Sequence, residues 1–127
     1  MYLIMELKEN IFQPVSIPRG FICLSNIGTL TETKSTMNWL LDHFYDSDNP
    51  NKEYKIVKLI KVIPNIFHKL NPNRFVLIVT DNGKNSICTI SNTPLKLISN
   101  YNDTFIVKKE LERLYPHCNY TIYEVVE

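Results

Sequence analysis

Three histidines and three cysteines are the residues best suited to nucleophilic catalysis or metal binding in this chain of 127 residues. They are His43, His68, His117, Cys23, Cys88 and Cys118. A zinc site typically draws on such residues in pairs roughly two to five positions apart. The single close pair is His117 and Cys118, which are adjacent, and adjacent side chains point apart on a regular helix or strand. We therefore expect no metal site, no cofactor and no catalytic residue. An enzyme with a His/Cys site assembled in space is a further alternative.

Residues 80–83 read Thr-Asp-Asn-Gly and follow a continuous apolar run. They resemble the Asp-Asn-Gly element of retroviral integrase-type nucleases, in which the aspartate binds a metal ion. That architecture also needs a glutamate further along the chain, and the corresponding position here holds His117. Asn-Gly favours the positive φ angles of a type I′ turn. We therefore interpret the segment as a hairpin turn and reject the hypothesis that the protein is a nuclease.

Trp39 is the single tryptophan of the chain. An apolar stripe at helical spacing predicts a helix around it, formed by Met37, Leu40, Leu41, Phe44 and Tyr45, with Thr33 or Ser35 as its cap. On that helix, Trp39, His43 and Asp46 lie opposite the stripe. Either a loop (residues 14–18 or residues 66–67) covers Trp39, or the three residues contact a protein partner. We take them as protein-interaction candidates.

The segment from Asn51 to Ile63 carries Lys52, Lys55, Lys58 and Lys61 at every third position. Its β-branched residues favour a strand, whereas the spacing of its apolar residues favours a helix. We predict a helix that ends before Pro64, with the lysines on one face. Such a face suits nucleic acid, with Lys55, Lys58 and Lys61 as contacts, but arginine is scarce. A solvated surface is the preferred interpretation, and nucleic-acid binding is the alternative function.

The remaining pattern predicts strands joined by short turns and one more helix. The predicted strands run from Tyr2 to Leu7, Gly20 to Asn26, Phe75 to Val79, Ser86 to Ser91, Leu95 to Ile98 and Tyr120 to Val126. The further helix is capped by Asn102 or Asp103, has Val107, Leu111, Leu114 and Tyr115 on its apolar side, and ends at Pro116. We expect an α+β fold with a mainly antiparallel sheet of about five to six strands and two to three packed helices.

Composition bounds the class of protein. With 44% hydrophobic and 21% charged residues, residues 1–127 are expected to form a single globular domain. The net charge of +1 gives no general attraction for nucleic acid, and no apolar run is long enough to span a membrane. The odd cysteine number and the lack of a signal-peptide pattern favour an intracellular protein, cytoplasmic or nuclear and not secreted.

The chain contains 15 Ile, 14 Asn, 11 Lys and no Ala, a bias typical of an A/T-rich genome such as that of a large DNA virus or a parasite. No pattern in the sequence identifies a family. We expect a small intracellular accessory domain that binds a protein partner, as a viral or parasite host-interaction factor. Self-association is compatible with this expectation, and membrane association is not expected.

Overall fold

The computed structural model describes residues 1–8, 10–15, 25–43, 53–62, 73–92 and 95–126. The chain forms two compact units, Met1–Lys58 and Leu59–Glu127. Strands in both units pair antiparallel and each unit holds a helix, so the predicted α+β class is confirmed. Within the described residues no helix combines the length and the hydropathy needed to cross a membrane. The single domain expected for residues 1–127 stays a prediction.

The first unit is built around strand β1 (Tyr2–Lys8). Strands β2 (Ile11–Pro14) and β3 (Ile27–Gly28) pair with β1 along one edge, and β4 (Tyr54–Lys61) pairs along the other. Side chains on both faces of β1 are buried, since Leu3 and Ile4 are both 0% exposed. Ile4 contributes to a hydrophobic cluster with Val15 of the first unit and with helix α1 (Leu30–His43) through Leu40.

Helix α1 is capped by Thr29 and not by Thr33 or Ser35, because Thr29 and Glu32 form a capping box. The Glu32 N–H donates to the Thr29 hydroxyl at 3.2 Å, and the Thr29 N–H donates to the Glu32 carboxylate at 3.4 Å. These reciprocal bonds satisfy amides that have no partner within the first turn. The Thr-x-x-Glu spacing is visible in the sequence and identifies the true start of the helix.

We expect Thr29→Ala to lower the free energy of unfolding by about 1 kcal/mol, because it leaves the Glu32 amide without its acceptor. Chemical denaturation followed by circular dichroism measures the change. Thr31→Ala is the matched control, since Thr31 is an exposed threonine of the same turn outside the capping box. Because alanine has a higher helix propensity than threonine, Thr31→Ala is expected to cause no loss, and equal changes in the two variants would show that the cap contributes nothing.

The buried face of α1 differs from the predicted apolar stripe. Thr33 and Thr36 are buried beside Leu40, whereas Leu41 is 54% exposed. The Thr33 hydroxyl donates to the Thr29 carbonyl at 2.9 Å, so the side chain enters the core with its polar atom satisfied. The buried face of α1 therefore includes two threonines that are absent from the predicted stripe, and it does not include Leu41.

Residues 54–61 form strand β4, so the helix predicted from Asn51 to Ile63 is wrong. β4 pairs with β1 in a regular register from Tyr2↔Lys58 to Glu6↔Tyr54. Val57 and Leu59 are buried on one face of the strand, and the pairing supplies backbone hydrogen bonds that the local sequence does not reveal. The β-branched residues favour a strand and the apolar spacing favours a helix, and the pairing with β1 decides for the strand.

In the second unit, strand β5 (Phe75–Asp81) lies between β6 (Lys84–Ile87) and β9 (Asn119–Val126). The end of β4 also belongs here, and the Val62 N–H donates to the Ile122 carbonyl at 3.0 Å. Two short strands, β7 (Ser91–Asn92) and β8 (Leu95–Lys96), pair with each other. The predicted hairpin turn is confirmed, because Asn82 and Gly83 have φ angles of 52° and 76°.

Helix α2 (Tyr101–Leu114) packs on the sheet of the second unit. Its cap is Asn100, not Asn102 or Asp103, and the Asn100 side chain accepts from the Asp103 N–H at 2.8 Å. Val107 and Leu111 pack against a core of Phe75, Leu77 and Ile122, as the apolar pattern predicts. Two other residues assigned to the apolar side are half exposed instead, Leu114 at 49% and Tyr115 at 51%.

Candidate metal centre

Asp81, His117 and Cys118 converge at one end of the second unit's sheet. Each of the three side chains offers one ligand atom, and these atoms all lie within 4.8 Å of one another. Asp81 is the last residue of β5, and Cys118 directly precedes β9. Because β5 and β9 pair up to Thr80↔Asn119, the register brings Asp81 next to Cys118. The cluster is therefore a product of strand pairing.

A turn after α2 places His117 beside Cys118. α2 ends at Leu114, and the Cys118 N–H donates to the Tyr115 carbonyl at 3.3 Å, which closes the turn. The ring of Tyr115 meets the imidazole of His117 edge-on, with centroids 6.5 Å apart. Our expectation that His117 and Cys118 point apart is wrong, because that rule holds for regular helices and strands and these residues occupy a turn.

The geometry fits a transition-metal ion of the zinc class. Ligand atoms around tetrahedral zinc lie about 3.3–3.8 Å apart, so the three side chains need to close by at most about 1 to 1.5 Å. Asp81 and His117 are exposed and have room for that adjustment, whereas Cys118 is partly buried. Thiolate, imidazole and carboxylate together form a donor set of intermediate softness, which suits zinc better than magnesium or calcium.

Tyr120 and Cys88 are neighbours of Cys118. Desolvation raises the pKa of Tyr120, and the neighbouring thiols and a side-chain hydrogen bond with Cys118 raise it further. Burial raises the pKa of the Cys88 thiol to about 11, against a lowering by a backbone hydrogen bond with Val79. Cys88 packs on the Phe75, Leu77 and Ile122 core as a small hydrophobic side chain, and it is not one of the three residues whose ligand atoms converge.

Trp39 lies against the core of the first unit. It is partly buried and packs on the cluster of Ile4, Val15 and Leu40, so it flanks the buried face of α1 and does not lie opposite it. Val15 belongs to one of the two stretches that we considered as a cover for Trp39. The role of Trp39 in binding a protein partner stays a prediction.

Other sequence candidates lie at or beyond the limits of the described residues. The backbone of His43 ends α1, but its side chain is outside the described part, as are Asp46, Lys52, Cys23 and His68. The strand predicted from Gly20 to Asn26 also falls largely outside it.

The lysines predicted to share one face of a helix lie on strand β4 instead, and nucleic-acid binding through Lys55, Lys58 and Lys61 stays a prediction. Side chains alternate along a strand, so Lys58 points to the opposite face of β4 from Lys55 and Lys61. The Lys55 ammonium lies 4.0 Å from the centroid of the Phe12 ring, which is a cation–π contact within the first unit. The lysine stripe predicted for a helix is therefore divided between two faces.

Sequence reasoning overlooked Asp81 as a partner of His117 and Cys118. The comparison with nuclease spacing had already singled out both Asp81 and His117. The missing information was the register of β5 with β9.

No protein-family model, curated protein or solved structure matches this chain significantly.

Proposed function

We propose that this protein binds a divalent transition-metal ion of the zinc class through Asp81, His117 and Cys118. The observation that carries the proposal is the convergence of a carboxylate, an imidazole and a thiol within 4.8 Å of one another. These residues come from two separate stretches of the chain, and paired strands and a hydrogen-bonded turn hold them in place.

Charge balance supports a divalent ion. When an ion binds, the Cys118 thiol gives up its proton and the imidazole stays neutral. The two negative charges of Asp81 and Cys118 then equal the charge of the ion. The site also follows the carboxyl end of α2, and the partial negative charge of a helix carboxyl end favours a cation.

Metal binding is tested by titrating the metal-free protein with Zn²⁺ in competition with a chromophoric chelator. Co²⁺ is used in parallel, because its absorption reports a thiolate ligand and a tetrahedral geometry directly. Loss of a residue that only hydrogen-bonds to a metal ligand weakens metal binding by up to about 100-fold. Because Cys118→Ser removes a ligand itself, we expect it to weaken Zn²⁺ binding by at least about 100-fold.

Cys88→Ser is the matched control, since it removes a neighbouring thiol that is not part of the triplet. It is expected to retain the affinity for Zn²⁺ and the thiolate absorption of the Co²⁺ form. The proposal fails if the wild-type protein does not bind either ion, or if Cys118→Ser binds them as tightly as wild type. Circular dichroism confirms that each variant is folded.

A second candidate function is protein–protein contact, the role expected from the sequence. It is favoured by three apolar residues on or directly after α2, namely Ile106 (65% exposed), Leu114 and Tyr115. On this proposal the protein is an intracellular accessory domain that associates with itself or with another protein. Sedimentation velocity over a range of concentrations tests the self-association, and Ile106→Glu is expected to abolish it. A purely monomeric wild-type protein at all concentrations would exclude that form of contact.

A further inference from the structure

The proposed metal centre has an open side toward solvent. Within the described residues, three side chains form the triplet, and two of them, Asp81 and His117, are exposed. Zinc is usually four-coordinate, and sites with three protein ligands keep the fourth position for water or an external ligand. The bound ion would therefore be accessible to a small molecule from solution.

Lys84 carries its positive charge on β6, directly across the hairpin from the proposed ligand Asp81. Asp81 and Lys84 face each other as the last pair of the β5–β6 hairpin, next to the Asn82–Gly83 turn. Directly paired residues of antiparallel strands project from the same face of the sheet. The exposed Lys84 ammonium is thus on the same side of the hairpin as the Asp81 carboxylate.

Metal binding would change the charge that surrounds the Lys84 ammonium. In the metal-free protein the residue paired with Lys84 across the hairpin is Asp81, whose carboxylate carries the opposite charge. Once the carboxylate coordinates the ion, its charge is neutralised along with that of the Cys118 thiolate. The metal centre is then electrically neutral. The Lys84 ammonium therefore gives the region around the centre a net charge of one positive unit.

We propose that the ion's open position and Lys84 together bind a small oxyanion, a phosphate or carboxylate group of a ligand. The proposal rests on the metal site argued above. One anionic oxygen coordinates the ion in place of water, and a second accepts a hydrogen bond from the Lys84 ammonium. Phosphate and carboxylate both offer the two oxygens that this arrangement needs.

The Co²⁺-loaded protein provides the test, because its visible absorption changes when the fourth ligand is replaced. Inorganic phosphate and acetate are titrated separately at constant ionic strength. We expect a saturable spectral change with at least one of them, and its identity tells whether phosphate or carboxylate is the preferred class. Lys84→Ala is expected to weaken the anion by about two- to five-fold, the size typical of an exposed charge pair.

Lys96→Ala is the control, since Lys96 is another exposed lysine of the second unit, on β8. Its affinity for the anion is expected to equal that of wild type. If Co²⁺ binds with thiolate absorption but neither anion alters the spectrum, the oxyanion site is excluded and the metal site stands. If Lys84→Ala binds the anion as tightly as wild type, the assignment of Lys84 is overturned. Failure to bind Co²⁺ at all removes the metal site itself.

Discussion

Zn²⁺ at about 100 times its dissociation constant is expected to raise the free energy of unfolding of the wild-type protein by about 2.7 kcal/mol. For a chain of this length, that corresponds to an increase in melting temperature of roughly 10 °C. The ion binds the folded chain far better than the unfolded one, because Asp81 and Cys118 converge only through the β5–β9 register. The bound ion therefore stabilises the pairing that creates its own site.

His117→Ala is expected to abolish most of this stabilisation while leaving the metal-free protein close to wild type. His117 is exposed and lies in a turn, so its removal creates no cavity in the core. Thermal unfolding followed by circular dichroism, with Zn²⁺ and then with excess chelator, measures the difference. The same gain in stability in wild type and in His117→Ala would assign the ion to other ligands.

Mg²⁺ is the control ion for this experiment. It prefers oxygen ligands and an octahedral site, so a set of one carboxylate, one imidazole and one thiolate suits it poorly. We expect Mg²⁺ at the same concentration to leave the melting temperature unchanged. An equal effect of both ions would point to general binding by acidic groups.

Leu77→Ala is expected to lower the free energy of unfolding by about 2 to 5 kcal/mol. Leu77 of β5 is 0% exposed and packs with Phe75 and Ile122, against which Val107 and Leu111 of α2 also pack. Removing its three outer carbon atoms takes away buried apolar surface and leaves a cavity between the sheet and the helix. Because folded domains are stable by only about 5–15 kcal/mol, the loss is a large share of the total.

Leu114→Ala makes the same substitution at a position that is 49% exposed near the end of α2. Leucine and alanine have similar helix propensities, so we expect a change within about 0.5 kcal/mol. Urea denaturation followed by circular dichroism measures both variants. If Leu77→Ala costs no more than Leu114→Ala, the cluster around Phe75 is not the core of the second unit.

Local sequence patterns were sufficient for several elements of the fold. The apolar run at Phe75 predicted β5, and Asn82–Gly83 predicted a turn with two positive φ angles. Both patterns depend on residues that are close in the chain, since a type I′ turn needs only the conformational freedom of two positions. The existence of α1, α2 and β9 was predicted in the same way, with boundaries that shifted by a few residues.

The helix faces are harder to predict from apolar spacing, because buried threonines contribute to them. Thr33 and Thr104 are both 0% exposed near the start of their helices. Each hydroxyl donates to the carbonyl four residues earlier, at 2.9 Å to Thr29 and 2.7 Å to Asn100. Because each hydroxyl donates this bond, burying the threonine leaves no unsatisfied donor. The spacing of the apolar residues alone does not reveal that these threonines are buried.

Composition and short-range spacing determine the fold class, the hairpin turn and most of the strands of this chain, because those features depend on neighbouring residues. The strand at residues 54–61 and the meeting of Asp81 with His117 and Cys118 depend on pairing between distant segments. In an antiparallel pair the register decides which side chains share a face, and a shift by one residue would move Asp81 to the other side of the sheet. The candidate site is therefore a property of the tertiary structure, even though all three of its residues are individually visible in the sequence.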